Sequence, residues 1–271
     1  MRIALLGPEH SYCHVAGAQA YPKEIYVLKK HIDDVFRAVD VGKAGLGIVP
    51  IENMLQGSVR ESYLGLAEFD VSIVKELVLP IHHCLAAQRK TFSRIASHPQ
   101  ALAQCSALLR RERSEGIDQL ECSSTSRAME IAADDATTAA IGSVQAAKHH
   151  CLQILKQNVE DNADNTTRFV TIAKRTPKKT SREKLKTTML LMPKEDKPGL
   201  LFEILAVFKI QGINLTKIES MPSRRKMGEY HFIIDIDGGI EDAHVRSALG
   251  FLSTFISVRC FGSFPSTNLK G

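Results

Sequence analysis

The order of strand-like and helix-like segments is the feature of this sequence that most limits what the chain can fold into. Up to about residue 176, short apolar runs, such as those at 2–6, 45–51 and 71–79, alternate with segments that begin at capping residues and carry helical spacing. This alternation predicts an α/β domain with a mainly parallel sheet that is covered by helices on both faces.

A different order follows the basic segment at residues 174–186. The apolar runs at 187–192, 213–221, 230–236 and 258–264 predict strands, and the segments at 200–211 and 242–256 predict helices. The resulting βαββαβ order is that of a ferredoxin-like unit. The 271-residue chain is therefore predicted to form two domains, residues 1–176 and 185–271, joined by a solvated linker at 177–184.

Small and hydroxyl-bearing residues follow several predicted strands of the first domain. In open α/β sheets, ligands bind at the carboxyl ends of strands, where helix N-termini offer free backbone N–H groups to an anion. One such residue alone is more often a helix cap than a ligand contact, so it is their recurrence that favours an anion site. The pairs are Gly7-Pro8, Glu52-Asn53, Gly57-Ser58, Ser124-Thr125 and Gly142-Ser143.

Composition and charge exclude several classes of protein. Hydrophobic residues make up 44% and charged residues 24%, as in an ordinary globular protein, and no run reaches the roughly 20 apolar residues of a membrane span. The start of the sequence lacks the pattern of a signal peptide, so we expect a cytoplasmic protein. The net charge of +5 suits an anionic small substrate, and the basic segment lacks the aromatic residues of a nucleic-acid-binding segment. We therefore expect neither nucleic acid nor membrane as a partner.

The cysteines and histidines do not form a metal site. The six cysteines contain no CxxC spacing, which indicates reduced thiols. His82, His83 and Cys84 are consecutive, and adjacent residues on a strand point to opposite faces. Because no second cluster has ligand spacing, we expect no metal.

The stretch Asn165-Thr166-Thr167-Arg168-Phe169 places two hydroxyls and a guanidinium where a polar, turn-forming run meets an apolar one. A hydroxyl can donate a proton or hydrogen bond to a leaving oxygen, and a guanidinium can bind a carboxylate with two parallel hydrogen bonds. From the residues alone, a strand-start hydroxyl for Thr167 and a structural ion pair for Arg168 are favoured, and the catalytic interpretation remains an open alternative.

Nine stretches in order carry a family likeness: GPEHSYCHVA, VPIEN followed by GSV, LPIHHCL, SHPQALAQC, SSTSRA, AAIGSVQAA, NTTRF, KPGLLFEIL and NLTKIESMP. Together they resemble the prephenate dehydratases that carry a C-terminal ACT regulatory domain. The resemblance implies a two-lobed first domain like a periplasmic binding protein, with residues 1–75 and 155–176 in one lobe and 76–154 in the other. It also implies conversion of prephenate to phenylpyruvate, carbon dioxide and water without a cofactor, feedback by phenylalanine, and a homodimer or homotetramer formed through both domains.

The resemblance also assigns residues. The threonine of the family's TRF motif falls on Thr167, the candidate catalytic residue. The candidate substrate-binding residues are Ser11, Asn53, Gly57, Ser58, Ser124, Thr125, Asn165, Arg168 and Phe169. The candidate effector-binding residues are Gly199, Leu200, Leu201, Asn214, Leu215, Glu219 and Ser220.

Five positions depart from the family pattern: His10, Met54, Leu64, Lys75 and Met221. These departures leave two alternatives open. One is arogenate dehydratase or a related prephenate-processing lyase, and the other is a non-catalytic protein that senses amino acids with the same two domains.

Overall fold

A computed structural model describes residues 1–174, 184–195, 197–223 and 229–271. All but the last residue of the linker predicted at 177–184 lies outside the described residues. Within them, the first domain has two lobes, each built on its own sheet, and the second domain has one sheet.

The sheet of the first lobe has the strand order β16-β5-β11-β3-β1-β2, with β4 paired to β3. Strands β2 and β3 run parallel to β1, whereas β11 returns antiparallel between β3 and β5. Helices α1, α2 and α3 accompany this sheet. The bounds are β1 Arg2–Leu6, α1 Tyr12–Ala20, β2 Ile25–Lys29, α2 Ile32–Asp40, β3 Leu46–Asn53, β4 Gly57–Ser58, α3 Arg60–Glu68, β5 Ser72–Pro80, β11 Thr166–Ala173 and β16 Ser266–Asn268.

The sheet of the second lobe has the order β10-β6-β9-β7-β8, also with mixed directions. The chain crosses between the lobes at residues 81–83 and again at 158–165. The bounds are β6 Cys84–Ala87, β7 Arg94–Ser97, α4 Pro99–Gln104, α5 Ser106–Ser114, β8 Asp118–Glu121, α6 Thr125–Asp134, β9 Thr138–Gly142, α7 Val144–His149 and β10 Gln153–Gln157.

The second domain has the strand order β13-β14-β12-β15, all antiparallel. One face of the sheet packs on its two helices in a core that includes Ile204, Phe208 and Leu252. The other face packs on the first lobe, because Leu190, Ile233 and Phe261 share a core with residues of α2 and α3. The bounds are β12 Lys186–Pro193, α8 Leu200–Ile210, β13 Leu215–Pro222, β14 Tyr230–Asp237, α9 Ala243–Leu252 and β15 Ile256–Phe264.

The predicted α/β class, the two lobes and the βαββαβ order of the second domain are confirmed. The prediction of a mainly parallel sheet is wrong, because β11, β6 and β10 run against their neighbours. Both crossings lie later in the chain than the boundaries predicted at 75 and 155, since β5 belongs wholly to the first lobe and β10 to the second.

Candidate active site

A cavity of about 260 Å³ lies between the two lobes, at the carboxyl ends of β1 and β3. It is slightly smaller than the roughly 300–1,000 Å³ pockets that hold drug-sized ligands, so it suits a small molecule. The lining residues are Leu6, Gly7, Ser11, Tyr12, Asn53, Ile81, His83, His98, Gln100, Ala101, Gln104, Ser123, Ser124, Thr125, Asn165 and Thr167.

Thr167 lies in this cavity near the start of β11, where it pairs in register with Asn53 of β3. The Asn53 amide donates a hydrogen bond of 2.9 Å to the Thr167 hydroxyl oxygen. The Asn53 amide oxygen accepts from the Leu55 backbone N–H, which fixes the orientation of the amide group. Because the Thr167 oxygen accepts from Asn53, its O–H remains available as a donor toward the cavity.

A chain of hydrogen bonds extends from this pair across the lobes. Asn53 also donates to the Asn165 side-chain oxygen at 2.9 Å, and the Asn165 amide donates to the Gln104 oxygen at 3.1 Å. The same Gln104 oxygen lies 3.1 Å from His83 Nε2, and His83 Nδ1 lies 2.7 Å from the Tyr12 hydroxyl. A connected network of this kind fixes the position of every member.

Gln104 was not among the predicted site residues, although it lies in the stretch SHPQALAQC that carried part of the resemblance. Its amide Nε2 is buried and has no hydrogen-bond partner in the described part of the chain. A buried donor without a partner is costly in a folded protein, and a ligand that accepts from it removes that cost. The amide at the end of α4 is therefore suited to a substrate oxygen.

Helices α1 and α6 of the first domain begin at the cavity. Ser11 caps α1 by accepting from the His14 N–H, and Ser124 caps α6 by accepting from the Arg127 N–H. The positive ends of the two helix dipoles therefore face the space between the lobes. None of the described residues that line the cavity is a lysine or an arginine. An anion there would be held by helix N-termini and neutral donors.

Tyr12 and His83, which line the cavity, are neutral near pH 7. Burial raises the pKa of Tyr12 well above its usual range, and burial lowers the pKa of His83. Burial also raises the pKa of the neighbouring Cys105 thiol to about 12, which excludes a thiolate nucleophile. The site therefore offers hydrogen-bond donors without a charged general base.

Arg168 is not among the residues that line the cavity, in contrast to its predicted contact with substrate. Adjacent residues on a strand point to opposite faces, so Thr167 points into the cleft and Arg168 points out of it. Arg168 Nε donates to Glu76 Oε1 at 2.7 Å and its NH2 donates to Asp235 Oδ2 at 2.7 Å, while NH1 pairs with Glu52. The ion-pair interpretation is therefore the one that describes its contacts.

Three other predicted substrate residues also lie outside the cavity. Gly57 is exposed at φ +78°, in the left-handed region that favours glycine, where it turns β3 back into β4. The Ser58 hydroxyl pairs with Glu219 of the second domain. Phe169 is buried in the core of the first lobe. The structure thus brings Ser11, Asn53, Ser124, Thr125 and Asn165 together around Thr167.

The predicted effector residues lie in two groups in the second domain. Gly199, at φ +84°, precedes α8, Leu200 is buried in the domain core, and Leu201 is 39% exposed. Asn214 donates to Asp237 just before β13, which carries the remaining three, Leu215, Glu219 and Ser220.

The departures from the family pattern have different surroundings. The His10 ring lies against the His149 ring of the second lobe, with centroids 3.9 Å apart and ring planes tilted by 32°, so His10 makes a contact between the lobes. Lys75 lies over the ring of Tyr21. The other three are Met54, which is exposed, and Leu64 and Met221, which pack in or against the core shared by the two domains.

Two classes of site find no support in the described residues. No group of three or more His, Cys, Asp or Glu side chains is arranged to hold a metal ion. No helix among them has the length and apolar character needed to cross a membrane.

Comparisons with known proteins identify the family of the chain. The family model for prephenate dehydratase matches residues 3–177, and the model for the ACT domain matches residues 195–253. The prephenate dehydratase of Methanocaldococcus jannaschii is 41% identical over 239 residues, which cover 86% of this chain and 85% of that protein. The bifunctional chorismate mutase/prephenate dehydratase of Aquifex aeolicus is 38% identical over 277 residues, covering 100% of this chain and 75% of that protein.

The fold has solved relatives as well. The crystal structure of prephenate dehydratase from Arthrobacter aurescens in complex with L-Phe superposes with a TM-score of 0.88 at 31% identity, covering 98% of this chain and 90% of that one. The likeness thus extends over both domains. The chain belongs to the prephenate dehydratase family, whose members are decarboxylating lyases of aromatic amino-acid biosynthesis, and it carries the ACT domain of its feedback-regulated members.

Proposed function

We propose that Thr167 assists the departure of the ring hydroxyl when prephenate loses carbon dioxide and water in the cleft. The observation that supports this role is the hydrogen bond from the Asn53 amide to the Thr167 oxygen, which leaves the Thr167 O–H as a donor. The residues predicted around it, Ser11, Ser124, Thr125 and Asn165, line the same cavity.

The reaction needs little more than such a donor. The electron pair of the breaking bond between the ring and its carboxylate forms the aromatic ring and expels the hydroxyl from the opposite carbon. One proton is consumed, and the products are phenylpyruvate, carbon dioxide and water. Because a threonine hydroxyl is a weak acid, its contribution rests on its position in a preorganised site, and such help contributes about 10²–10⁴-fold in rate.

Neutral donors would hold the two carboxylates. The N-termini of α1 and α6 carry partial positive charge, and the free Gln104 amide adds a buried donor. Donors that already point into a small cavity need no reorganisation when the substrate reacts. They therefore stabilise the transition state more than bulk water does.

Regulation would operate through the ACT domain. We place phenylalanine at the turn of Gly199 to Leu201 and on β13 with Glu219 and Ser220, at an interface between two copies of the domain. The ring would pack on apolar side chains, and the charged ends would bind backbone groups. Feedback then requires that phenylalanine bind one arrangement of the homodimer or homotetramer better than another.

The decisive experiment compares Thr167→Val with Thr167→Ser. Valine has nearly the shape of threonine without its hydroxyl, and serine keeps the hydroxyl. We expect valine to lower kcat by about 100-fold or more and serine to lower it far less, with phenylpyruvate formation followed by absorbance in alkali. A kcat of the valine variant within about threefold of the wild type would remove Thr167 from the mechanism.

Two further measurements distinguish the alternatives: phenylalanine formed from arogenate, which keeps its amino group and gives no phenylpyruvate, and phenylalanine binding by calorimetry. Turnover of arogenate without turnover of prephenate would identify an arogenate dehydratase. Phenylalanine binding without turnover of either compound would identify an amino-acid sensor.

A further inference from the structure

Six charged side chains meet behind the catalytic strands, on the side of β3 and β11 that faces away from the cavity. We call them the interdomain charge cluster. The first domain contributes Glu52, Glu76 and Arg168, and the ACT domain contributes Lys186, Lys217 and Asp235. The family pattern assigned only Arg168 among them, as a contact to substrate.

Arg168 is the centre of the cluster. Its guanidinium binds Glu76 and Asp235, each at 2.7 Å, and Glu52. Asp235 is fully buried, and its second oxygen accepts from Thr188 of β12 at 2.7 Å. Burial works against the charged form of Arg168, but Asp235 and Glu76 outweigh it and raise its pKa. The ion pair of Arg168 and Asp235 therefore joins the two domains, with Asp235 buried.

Two lysines of the ACT domain complete the cluster. Lys217 of β13 lies 2.7 Å from Glu52, and Lys186 of β12 lies 2.9 Å from Glu76. The first domain supplies two carboxylates and one guanidinium, and the ACT domain supplies two ammonium groups and one carboxylate. Each half therefore carries one uncompensated charge that only the other half neutralises. Because unpaired buried charges are strongly unfavourable, this charge balance favours one arrangement of the two domains.

The cluster and the catalytic residues are neighbours along the same two strands. Glu52 precedes Asn53 on β3, Arg168 follows Thr167 on β11, and the strands pair Asn53 with Thr167 and Glu52 with Arg168. In a strand, alternate residues face opposite sides of a common backbone. A displacement of the cluster by the ACT domain therefore shifts the backbone that sets the hydrogen bond from Asn53 to Thr167.

The effector strand lies at the other end of this connection. Lys217 is two residues from Glu219 on β13, and the two side chains are 3.2 Å apart. Glu219 in turn pairs with Ser58 at the end of β4, and Ser58 pairs in register with Glu52, the residue before Asn53 on β3. A ligand that moves β13 therefore changes contacts to both β3 and β4.

We propose that Arg168 is a positioning residue for the reaction, and that the interdomain charge cluster carries the state of the ACT domain to Asn53 and Thr167. The proposal rests on the function proposed above, since it presumes turnover of prephenate and inhibition by phenylalanine. It assigns to Arg168 the placement of Thr167 instead of contact with a substrate carboxylate.

The first experiment tests the coupling with Lys217→Met in the full chain. Glu52 keeps Arg168 as a partner in this variant, so the cluster is weakened without leaving an unpaired carboxylate. We expect turnover without phenylalanine to stay within about threefold of the wild type. At saturating phenylalanine, turnover should rise toward the uninhibited rate, while calorimetry should still detect phenylalanine binding. Lys209→Met, on the exposed end of α8, is the matched control and should keep full inhibition.

Two results would overturn the coupling. One is inhibition of Lys217→Met to the same extent as Lys209→Met. The other is loss of phenylalanine binding itself, which would place Lys217 in the effector site instead of in the connection. Wild-type protein that turns over prephenate but ignores phenylalanine would contradict the proposed regulation, and the catalytic part of the proposal would then be decided by the Arg168 variants alone.

The second experiment tests the positioning role with Arg168→Lys, which keeps the charge but cannot bind three carboxylates. Misplacement of Thr167 lowers kcat by about tenfold or more with KM within about threefold, because the transition state depends on placement more than the ground state does. A substrate anchor gives the opposite split, with KM raised and kcat nearly kept.

Asp235→Asn provides a second test, because asparagine keeps one oxygen for Arg168 and its amide can donate to the Thr188 hydroxyl, while the ACT side of the pair loses its charge. It should show the same split in a milder form. A rise in KM with an unchanged kcat in both variants would refute the positioning role. An inactive wild type would instead refute the proposed function.

Discussion

Replacing Asn53 with aspartate tests the central hydrogen bond of the site. In the wild type, the Asn53 amide donates to Thr167 and to Asn165, both at 2.9 Å, while its oxygen accepts from Leu55. A carboxylate keeps the contact to Leu55 but presents an acceptor where the amide nitrogen was. The Thr167 hydroxyl must then turn its hydrogen toward the new carboxylate, and the donor intended for the leaving hydroxyl is lost.

The magnitude follows from that lost donor. Help from a positioned donor contributes about 10²–10⁴-fold, which corresponds to about 3–5 kcal/mol of barrier at 1.36 kcal/mol per factor of ten. The cost in folding stability is smaller. In Asn53→Asp the carboxylate faces the Asn165 oxygen, and one unsatisfied buried contact of this kind costs about 1–3 kcal/mol. With about 2–4 °C per kcal/mol for a domain of this size, we expect the variant to remain folded at room temperature.

The pH dependence makes the test specific. A buried carboxylate without a cation has a raised pKa, and its protonated form can again donate to Thr167. We therefore expect the kcat of Asn53→Asp to rise as the pH falls, after subtraction of the uncatalysed, acid-promoted reaction. Asn53→Ala, which loses the donor without gaining a titratable group, should be slow at every pH. A kcat of Asn53→Asp within about threefold of the wild type at neutral pH would refute the role of this hydrogen bond.

Two further predictions concern stability. A methyl group at Gly65 in α3 would lie 2.5 Å from ring carbons of the fully buried Phe36. Gly65→Ala should therefore cost about 1–2 kcal/mol and lower the melting temperature by about 2–8 °C. The control is Gly250→Ala in α9, where the new methyl group meets no atom within 4 Å and should raise the melting temperature slightly. Burial lowers the pKa values of His10 and His83 from 6.5, so the unfolded chain binds more protons, and the melting temperature should fall as the pH drops below about 6.5. A melting temperature that is flat or rising from pH 7.5 to about 5.5 would contradict this sign, and a gain in stability by Gly65→Ala would contradict the packing argument.

Local signals explain which parts of the fold were predictable. The helix caps at Ser11, Ser124 and Ser143 were recognisable because each hydroxyl directly precedes a helical segment and accepts from its first turn. The βαββαβ order of the second domain was recognisable because its helices and strands differ clearly in apolar spacing. Such signals depend only on neighbours in sequence.

The missed elements lack signals of that kind. Strand β2, residues 25–29, contains the short apolar run IYVL, but periodicity alone does not assign a run of this length to a strand, and it lies at the edge of its sheet with no fully buried residue. Strand β16 has only three residues, and it forms because residues 266–268 of the second domain return to pair with β5 of the first. Pairing between residues so distant in sequence is decided by the tertiary fold.

The sequence could not decide whether Arg168 contacts substrate or forms an ion pair, because that also depends on tertiary contacts. Alternation along a strand separates Thr167 from Arg168, but it does not say which face meets the cleft, because both faces of β11 are covered by protein. The cleft covers one face and the ACT sheet covers the other, through contacts with Asp235 that no local pattern encodes. The short TRF motif therefore serves two surfaces, with the threonine on the substrate side and the arginine on the regulatory side. A strand shared in this way cannot move its regulatory face without moving its catalytic one, so substitutions of Arg168 and Asp235, at the centre of the charge cluster, should alter kcat although neither side chain reaches the cavity.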